Sequence, residues 1–91
     1  MVNWAFLSNH GRALLCIASD PSVRLREIAL EIGITERSAY SIVSDLDAAG
    51  YLVKQKDGRR NRYVIQEDLP LPEASNRELA IGQVLGLLRG L

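Results

Sequence analysis

Small polar side chains between positions 35 and 44 are the part of this sequence best suited to chemistry. Hydroxyl groups dominate the set, and one guanidinium, one phenol and one carboxylate accompany them: Thr35, Glu36, Arg37, Ser38, Tyr40, Ser41 and Ser44. Such groups hydrogen-bond base edges and phosphates without blocking close approach. A solvated helix face usually carries more Lys and Glu. The pattern therefore favours contact with nucleic acid over a merely solvated surface.

Basic residues are concentrated shortly downstream, in a stretch with one acidic residue and five basic ones. The candidate contact residues of this stretch are its five basic residues and one of its two amides: Lys54, Lys56, Arg59, Arg60, Asn61 and Arg62. The whole chain has no net charge, so the positive charge is localised here. Cations on a protruding ribbon suit phosphate or minor-groove contact. Charged hairpins also protect sheet edges, but the position of this one directly after a polar helix favours DNA.

Two helices joined by very few residues position the hydroxyl set. Gly33 follows an apolar helical pattern over residues 26–32, where a left-handed residue ends a helix, and Thr35 is an N-cap for the next helix, residues 35–49. Helical spacing predicts that the core-facing side of this second helix consists of Ala39, Ile42, Val43, Leu46 and Gly50. The result is a helix-turn-helix, whose second helix enters the DNA major groove in proteins that use it for recognition.

The flanking elements follow from local signals. Ser8 is a candidate N-cap for a first helix that runs to about Ser19, and residues 23–25 are a candidate short strand pairing with the basic hairpin. Asp57-Gly58 between two strand-like runs predicts a two-residue hairpin turn. Asp45 would be repelled by DNA if it faced the major groove, and a pairing with a hairpin arginine such as Arg62 would instead make it a structural clamp.

Several of these segments together resemble prokaryotic winged-helix transcriptional regulators, with the MarR-like and ArsR-like groups nearest. The resemblance covers roughly residues 9–65 and rests on the motifs LREIA at 25–29, GIT at 33–35, AGYL at 49–52 and DGRRNRY at 57–63. It implies a mainly α fold with a small β-hairpin (α+β). It also implies a dimeric repressor or activator with residues 35–49 in the major groove and a wing around residues 56–61 on the backbone or minor groove.

The C-terminal part is predicted to be a separate helix. Two prolines in residues 67–74 indicate an extended linker, and a capping-box pattern at residues 75–78 predicts a helix over 75–91. Its apolar stripe is the candidate dimerisation surface: Ile81, Val84, Leu85, Leu88 and Leu91. The stripe could fold back on the first helix and residues 4–7, or pair with a second copy. Glycines at every fourth position, Gly82, Gly86 and Gly90, favour close packing, and we predict the homodimer.

Composition limits the alternatives. Ninety-one residues suit one DNA-binding domain over residues 1–66. A single cysteine excludes an internal disulfide, and the lack of a signal-like start or a membrane-length apolar run predicts a cytoplasmic protein. His10 and Cys16 lie six residues apart on different faces of the first helix, so we expect no metal site and no cofactor.

Catalytic residues are not evident, because the sequence has one histidine, no convincing carboxylate pair and no glycine-rich phosphate loop. We therefore expect no enzyme. The predicted function is a sequence-specific DNA-binding transcriptional regulator, with no prediction for a small-molecule effector. The alternative is a winged-helix protein-interaction module within a larger regulatory complex.

Overall fold

The computed structural model of the protein describes residues 4–72 and 79–89. Its elements follow one another along the chain as α1 (Asn9–Ser19), α2 (Leu25–Ile32), α3 (Glu36–Ala48), β1 (Leu52–Asp57), β2 (Arg60–Ile65) and α4 (Ile81–Leu88). The two strands form one antiparallel hairpin. Helices with a small hairpin confirm the predicted α+β class.

The helix ends are set by local capping groups, as the sequence predicts. Ser8 Oγ accepts a hydrogen bond from the backbone N–H of Gly11 at 3.1 Å and begins α1. Thr35 Oγ1 accepts from the N–H of Ser38 at 3.0 Å and begins α3. Gly33 ends α2 in the left-handed conformation, at φ 82°. These caps place α2 and α3 only three residues apart, which confirms the predicted helix-turn-helix.

The core lies where α1, α2 and α3 meet, and the hairpin and α4 close it. Its buried side chains are Ala13, Leu14, Ile17, Ile28, Ala29, Ile32, Ala39, Ile42, Val43, Leu46, Leu52, Tyr63, Ile81 and Leu85. The prediction that Gly50 faces this core is wrong. Gly50 is exposed with a φ of 87°, and its N–H donates to the Asp47 carbonyl at the end of α3. The chain turns there from helix to strand, in a conformation that favours glycine.

The hairpin turn lies one residue later than predicted. Asp57 pairs with Arg60 as the last rung of the ladder, so the two-residue turn is Gly58-Arg59 and not Asp57-Gly58. Gly58 occupies the first turn position with a φ of 66°. A positive φ at this position matches the right-handed twist of the flanking strands in tight hairpins.

The predicted strand over residues 23–25 is also wrong. Arg24 is the N-cap of α2 and Leu25 is its first residue, because the Glu27 side chain accepts a hydrogen bond from the Arg24 N–H at 2.8 Å. The hairpin is instead attached to this part of the chain through one backbone bond, in which the N–H of Tyr63 donates to the Pro21 carbonyl at 2.9 Å.

The chain before α4 runs antiparallel to residues 69–71 of the predicted linker. The N–H of Leu71 donates to the Leu79 carbonyl at 3.0 Å, and the N–H of Ile81 donates to the Leu69 carbonyl at 2.7 Å. The predicted capping box at residues 75–78 lies outside the described residues. Helix α4 begins at Ile81, after an extended Ala80.

Helix α4 rests on its own chain. Ile81 and Leu85 are 9% and 4% exposed and belong to the core, whereas Val84 is half-buried. Leu87 and Leu88 are 70% and 45% exposed. Leu91 and Gly90 lie outside the described residues. Any surface that α4 offers to a second copy is therefore carried by residues other than Ile81 and Leu85.

The N-terminal aromatic residues do not cover this helix. Phe6 is 92% exposed, and its ring lies edge-on to that of Trp4 at a centroid distance of 5.1 Å. Leu7 is half-buried beside α1 and α2. The two rings thus contact each other at the surface.

Candidate nucleic-acid interface

The outer face of α3 presents the predicted hydroxyl set to solvent. Glu36, Arg37, Tyr40 and Ser41 are exposed, and Ser44 is half-buried. The first turn of the helix is more constrained, because the exposed residues Thr35 and Ser38 are joined by a hydrogen bond in which Thr35 Oγ1 donates to Ser38 Oγ at 2.9 Å. Thr35 and Ser38 therefore shape the start of the helix as well as offering oxygens to a ligand.

The two faces of the hairpin carry different residues. Residues that pair across the two strands point to the same face of the hairpin. Leu52 and Tyr63 lie on one face and are buried, so this face is the inner one. Lys54, Lys56 and Asn61 share this inner face. Arg62 points to the outer face, away from the inner-face residues. Arg59 lies in the turn. The side chain of Arg60, also a predicted contact residue, lies outside the described part of the structure.

Helix α3, the inner hairpin face and the start of α2 line a groove with a volume of about 620 Å³, which we call the interface groove. It brings together three predicted residues from α3 and three from the hairpin, and two further arginines that precede and begin α2: Glu36, Tyr40, Ser44, Lys54, Arg59, Asn61, Arg24 and Arg26. Other predicted contact residues lie outside its lining: Thr35, Arg37, Ser38, Ser41, Lys56 and Arg62.

Arg24 and Arg26 line the groove although they do not belong to the predicted contact set. In the described part of the chain neither arginine side chain forms an ion pair with Glu27 or Glu31. Their guanidinium groups are therefore available to a ligand there.

A carboxylate that sequence reasoning missed also lines the groove. Asp47 lines it beside Tyr63, and burial, followed by the negative charge of Asp47, raises the pKa of the Tyr63 hydroxyl above its ordinary value. The helical spacing from Tyr40 through Ser44 to Asp47 was the available signal. Four cations and two carboxylates, Glu36 and Asp47, leave the groove with a net positive charge.

The predicted clamp between Asp45 and Arg62 is wrong. Asp45 Oδ2 lies 2.8 Å from Nε2 of His10, so the carboxylate joins α3 to the first turn of α1. Both side chains are largely solvent-accessible, at 47% for His10 and 67% for Asp45. Asp45 therefore points away from the interface groove.

Cys16 is half-buried between α1 and α2. Burial and the nearby Glu31 carboxylate raise the pKa of its thiol, although Arg12 acts in the opposite direction. The described residues contain no grouping of three or more metal-binding side chains, and none of their helices is long and apolar enough to cross a membrane.

Comparison with known proteins supports the fold. No protein-family model matches the chain, and no curated protein matches it either. A similar solved structure is that of the PcaV transcriptional regulator from Streptomyces coelicolor in complex with its natural ligand. The match has a TM-score of 0.56 and 20% sequence identity, and it covers 97% of this chain and 64% of PcaV. The chain has the winged-helix fold. None of these comparisons supports the ArsR-like resemblance in particular.

Proposed function

We propose that the chain is a transcriptional regulator that binds double-stranded DNA at specific sequences. The observation that carries this proposal is the interface groove, because it joins the polar face of α3 to hairpin cations on one concave surface. An α-helix fits a major groove about 12 Å wide, and a neighbouring ribbon then reaches the backbone or the minor groove. The similar fold of PcaV, which is described as a transcriptional regulator, supports the same function.

The proposed contacts divide into two kinds. Arg37 donates to guanine and Glu36 accepts from the amino group of cytosine, since these pairings suit the major-groove base edges. Lys54 and Arg59 bind phosphates, with help from the arginines at the start of α2. Asp47 repels phosphates near the end of α3, so base contacts concentrate in the first half of this helix.

The proposed regulator is a homodimer. Winged-helix and helix-turn-helix dimers place two recognition helices in successive major grooves, about 34 Å apart. The exposed side of α4 is the proposed pairing surface, and among the described residues it carries Leu87 and Leu88. Two copies joined there would bury side chains that one copy leaves in water.

Enrichment of bound duplexes from a random-sequence pool at near-physiological salt tests the proposal, with the mass in solution measured on the same sample. We expect a palindrome with half-sites about one helical turn apart, bound by a dimer. Absence of enrichment, with weak binding that vanishes as salt rises, would instead support the protein-interaction module.

The two hairpin faces offer a matched pair of variants for the same assay. Lys54→Ala removes a cation of the inner face, so it should weaken binding and reduce the slope of log affinity against log salt by about 1. Arg62→Ala removes a cation of the outer face and should leave this slope unchanged. Equal effects of the two variants would contradict the proposed orientation of the hairpin on DNA.

A further inference from the structure

We propose that the groove between α1 and α2 docks an amphipathic helix of a protein partner, with basic residues along one flank of that helix. This groove, which we call the α1–α2 groove, has a volume of about 460 Å³. Its apolar walls are formed by Leu7, Leu15, Val23 and Ile32. Amphipathic helices bind such grooves by inserting apolar side chains that are spaced three or four residues apart.

Exposed apolar side chains extend this surface beyond the groove itself. Phe6 precedes the lining residue Leu7 and is 92% exposed, and Leu30 precedes the lining residue Glu31 and is 78% exposed. Apolar side chains that border a groove with a charged rim are typical of protein-binding surfaces. A docked helix would cover more of this apolar surface than a small molecule could.

The carboxylates on the rim decide the charge of the partner. Glu27 and Glu31 lie one helical turn apart on α2 and line the groove together. Within residues 4–72 and 79–89, neither carboxylate forms an ion pair. Glu27 Oε1 accepts a hydrogen bond from the Arg24 N–H at 2.8 Å, whereas Glu31 forms none with a described residue. Two basic residues one turn apart on the partner helix would match this pair of carboxylates.

Arg12 carries the opposite charge on the other wall of the groove. It lies on α1 and is half-buried, and its guanidinium forms no ion pair or hydrogen bond with another described residue. Guanidinium groups bind carboxylates strongly, so we expect an acidic residue on the second flank of the partner helix. Two carboxylates and one guanidinium give the groove a net charge of −1, and a partner of opposite charge is complementary to it.

Helix α2 separates this groove from the proposed DNA contacts. Arg24 and Arg26 line the interface groove, whereas Glu27 and Glu31 line the α1–α2 groove. The two carboxylates repel phosphates and attract a partner helix with net positive charge. A second copy of the chain is a poorer occupant, because pairing this groove with itself would bring together two surfaces of net charge −1.

Titration of the full chain with a synthetic peptide tests the proposal. The probe is an acetylated and amidated peptide of about 14 residues, with a leucine stripe, lysines along one flank and a glutamate on the other. Binding is followed by the anisotropy of a fluorescent label and by the rate at which iodoacetamide alkylates Cys16. This residue lines the groove and is the only cysteine of the chain. We expect saturable binding, and alkylation should slow in proportion to the bound fraction.

A charge swap identifies the contact. Glu31→Lys should weaken binding of the probe by roughly three- to tenfold, because it replaces an attraction at the rim with a repulsion. The substitution lies on the exposed face of the last turn of α2, where a cation is favourable, so the chain should remain folded. A second peptide, with glutamates in place of the lysines, should bind Glu31→Lys more tightly than it binds the parent.

Asp68→Lys is the matched control for this swap. It makes the same change in net charge at an exposed position that does not line the α1–α2 groove. Binding of the probe and protection of Cys16 should both stay unchanged in this variant.

Three results would overturn the proposal: no saturable binding of the probe, binding without protection of Cys16, or equal weakening by Asp68→Lys. A mass in solution above that of one chain that falls in Glu31→Lys would give the groove to a second copy, and would overturn the proposal as well. The assay contains no DNA, so its result is independent of the proposed regulatory function.

Discussion

The docking of α4 against its own chain predicts opposite effects for two otherwise similar substitutions. Gly82→Ala and Gly86→Ala both replace a helical glycine by the best helix former, a change that is favourable by up to about 1 kcal/mol. Gly86 has open space around its Cα, so Gly86→Ala should raise the free energy of unfolding by nearly this amount. The midpoint of thermal unfolding should then rise by roughly 4–8 °C.

Gly82→Ala should instead destabilise the chain. Its new methyl group would lie 2.6 Å from the Cβ and 3.0 Å from the backbone oxygen of Glu67, so the obstacle includes main chain. That main chain is tied to α4, because the Gly82 N–H donates to the Glu67 carbonyl at 2.9 Å and the Ile81 N–H donates to the Leu69 carbonyl. Relieving the clash costs about 1–3 kcal/mol by overpacking and weakens a hydrogen bond worth about 1 kcal/mol.

After the gain in helix propensity, the expected net loss is about 1–3 kcal/mol, and the two variants should differ by about 2–4 kcal/mol. Urea unfolding followed by circular dichroism measures both variants against the parent, with equal slopes required for the comparison. If Gly82→Ala were as stable as Gly86→Ala, α4 would not be held against residues 67–69, and the argument for the burial of Ile81 and Leu85 would fail.

Three smaller predictions concern capping, proton linkage and a surface pair. Thr35→Ala removes the N-cap of α3 and should lower the free energy of unfolding in urea by about 1 kcal/mol, whereas Thr35→Ser should retain most of this stabilisation. The raised pKa of Cys16 means that the native state holds this proton more tightly than the unfolded chain, so the unfolding free energy should fall as pH rises above the ordinary value of 9.0. When unfolding is measured at pH values below and above 9.0, the free energy of unfolding should fall less in Cys16→Ala than in the parent. An equal fall would contradict the raised pKa of Cys16. Asp45→Asn weakens an exposed pair with His10 and should cost less than about 1 kcal/mol, so a larger loss would mean that the pair is not solvent-screened.

Short-range signals made much of this fold predictable. Ser8, Gly33 and Thr35 act through hydrogen bonds or φ angles within a few residues of themselves, and each lies where its residue type predicts. The burial of Ile28 and Val43 follows from helical spacing in the same way. Such features depend on the local chain and can be derived without knowledge of the tertiary structure.

Features that depend on distant partners were not predictable in this way. Asp45 pairs with His10, thirty-five residues earlier, because the packing of α1 on α3 brings them together, and no local pattern encodes that contact. The cross-strand partner of Arg62 depends on the turn position: a turn at Asp57-Gly58 would pair Arg62 with Val53, whereas the observed register pairs it with Gln55. Asp47 lines the interface groove because β1 of the hairpin packs against α3. The contacts of the proposed interface with DNA remain predictions.

Successive side chains of β2 point alternately to the inner and outer faces of the hairpin. The residues on both faces therefore depend on whether the number of residues between the turn and Tyr63 changes by an odd or an even number. Tyr63 is fixed by burial and by its bond to Pro21, so deletion of Arg62 would place Asn61 where Arg62 now lies. Such a deletion would alter the inner and outer faces together, whereas loss of a pair would keep the surviving residues on their present faces. In descendants of this chain, we expect viable changes in hairpin length to occur in steps of two residues.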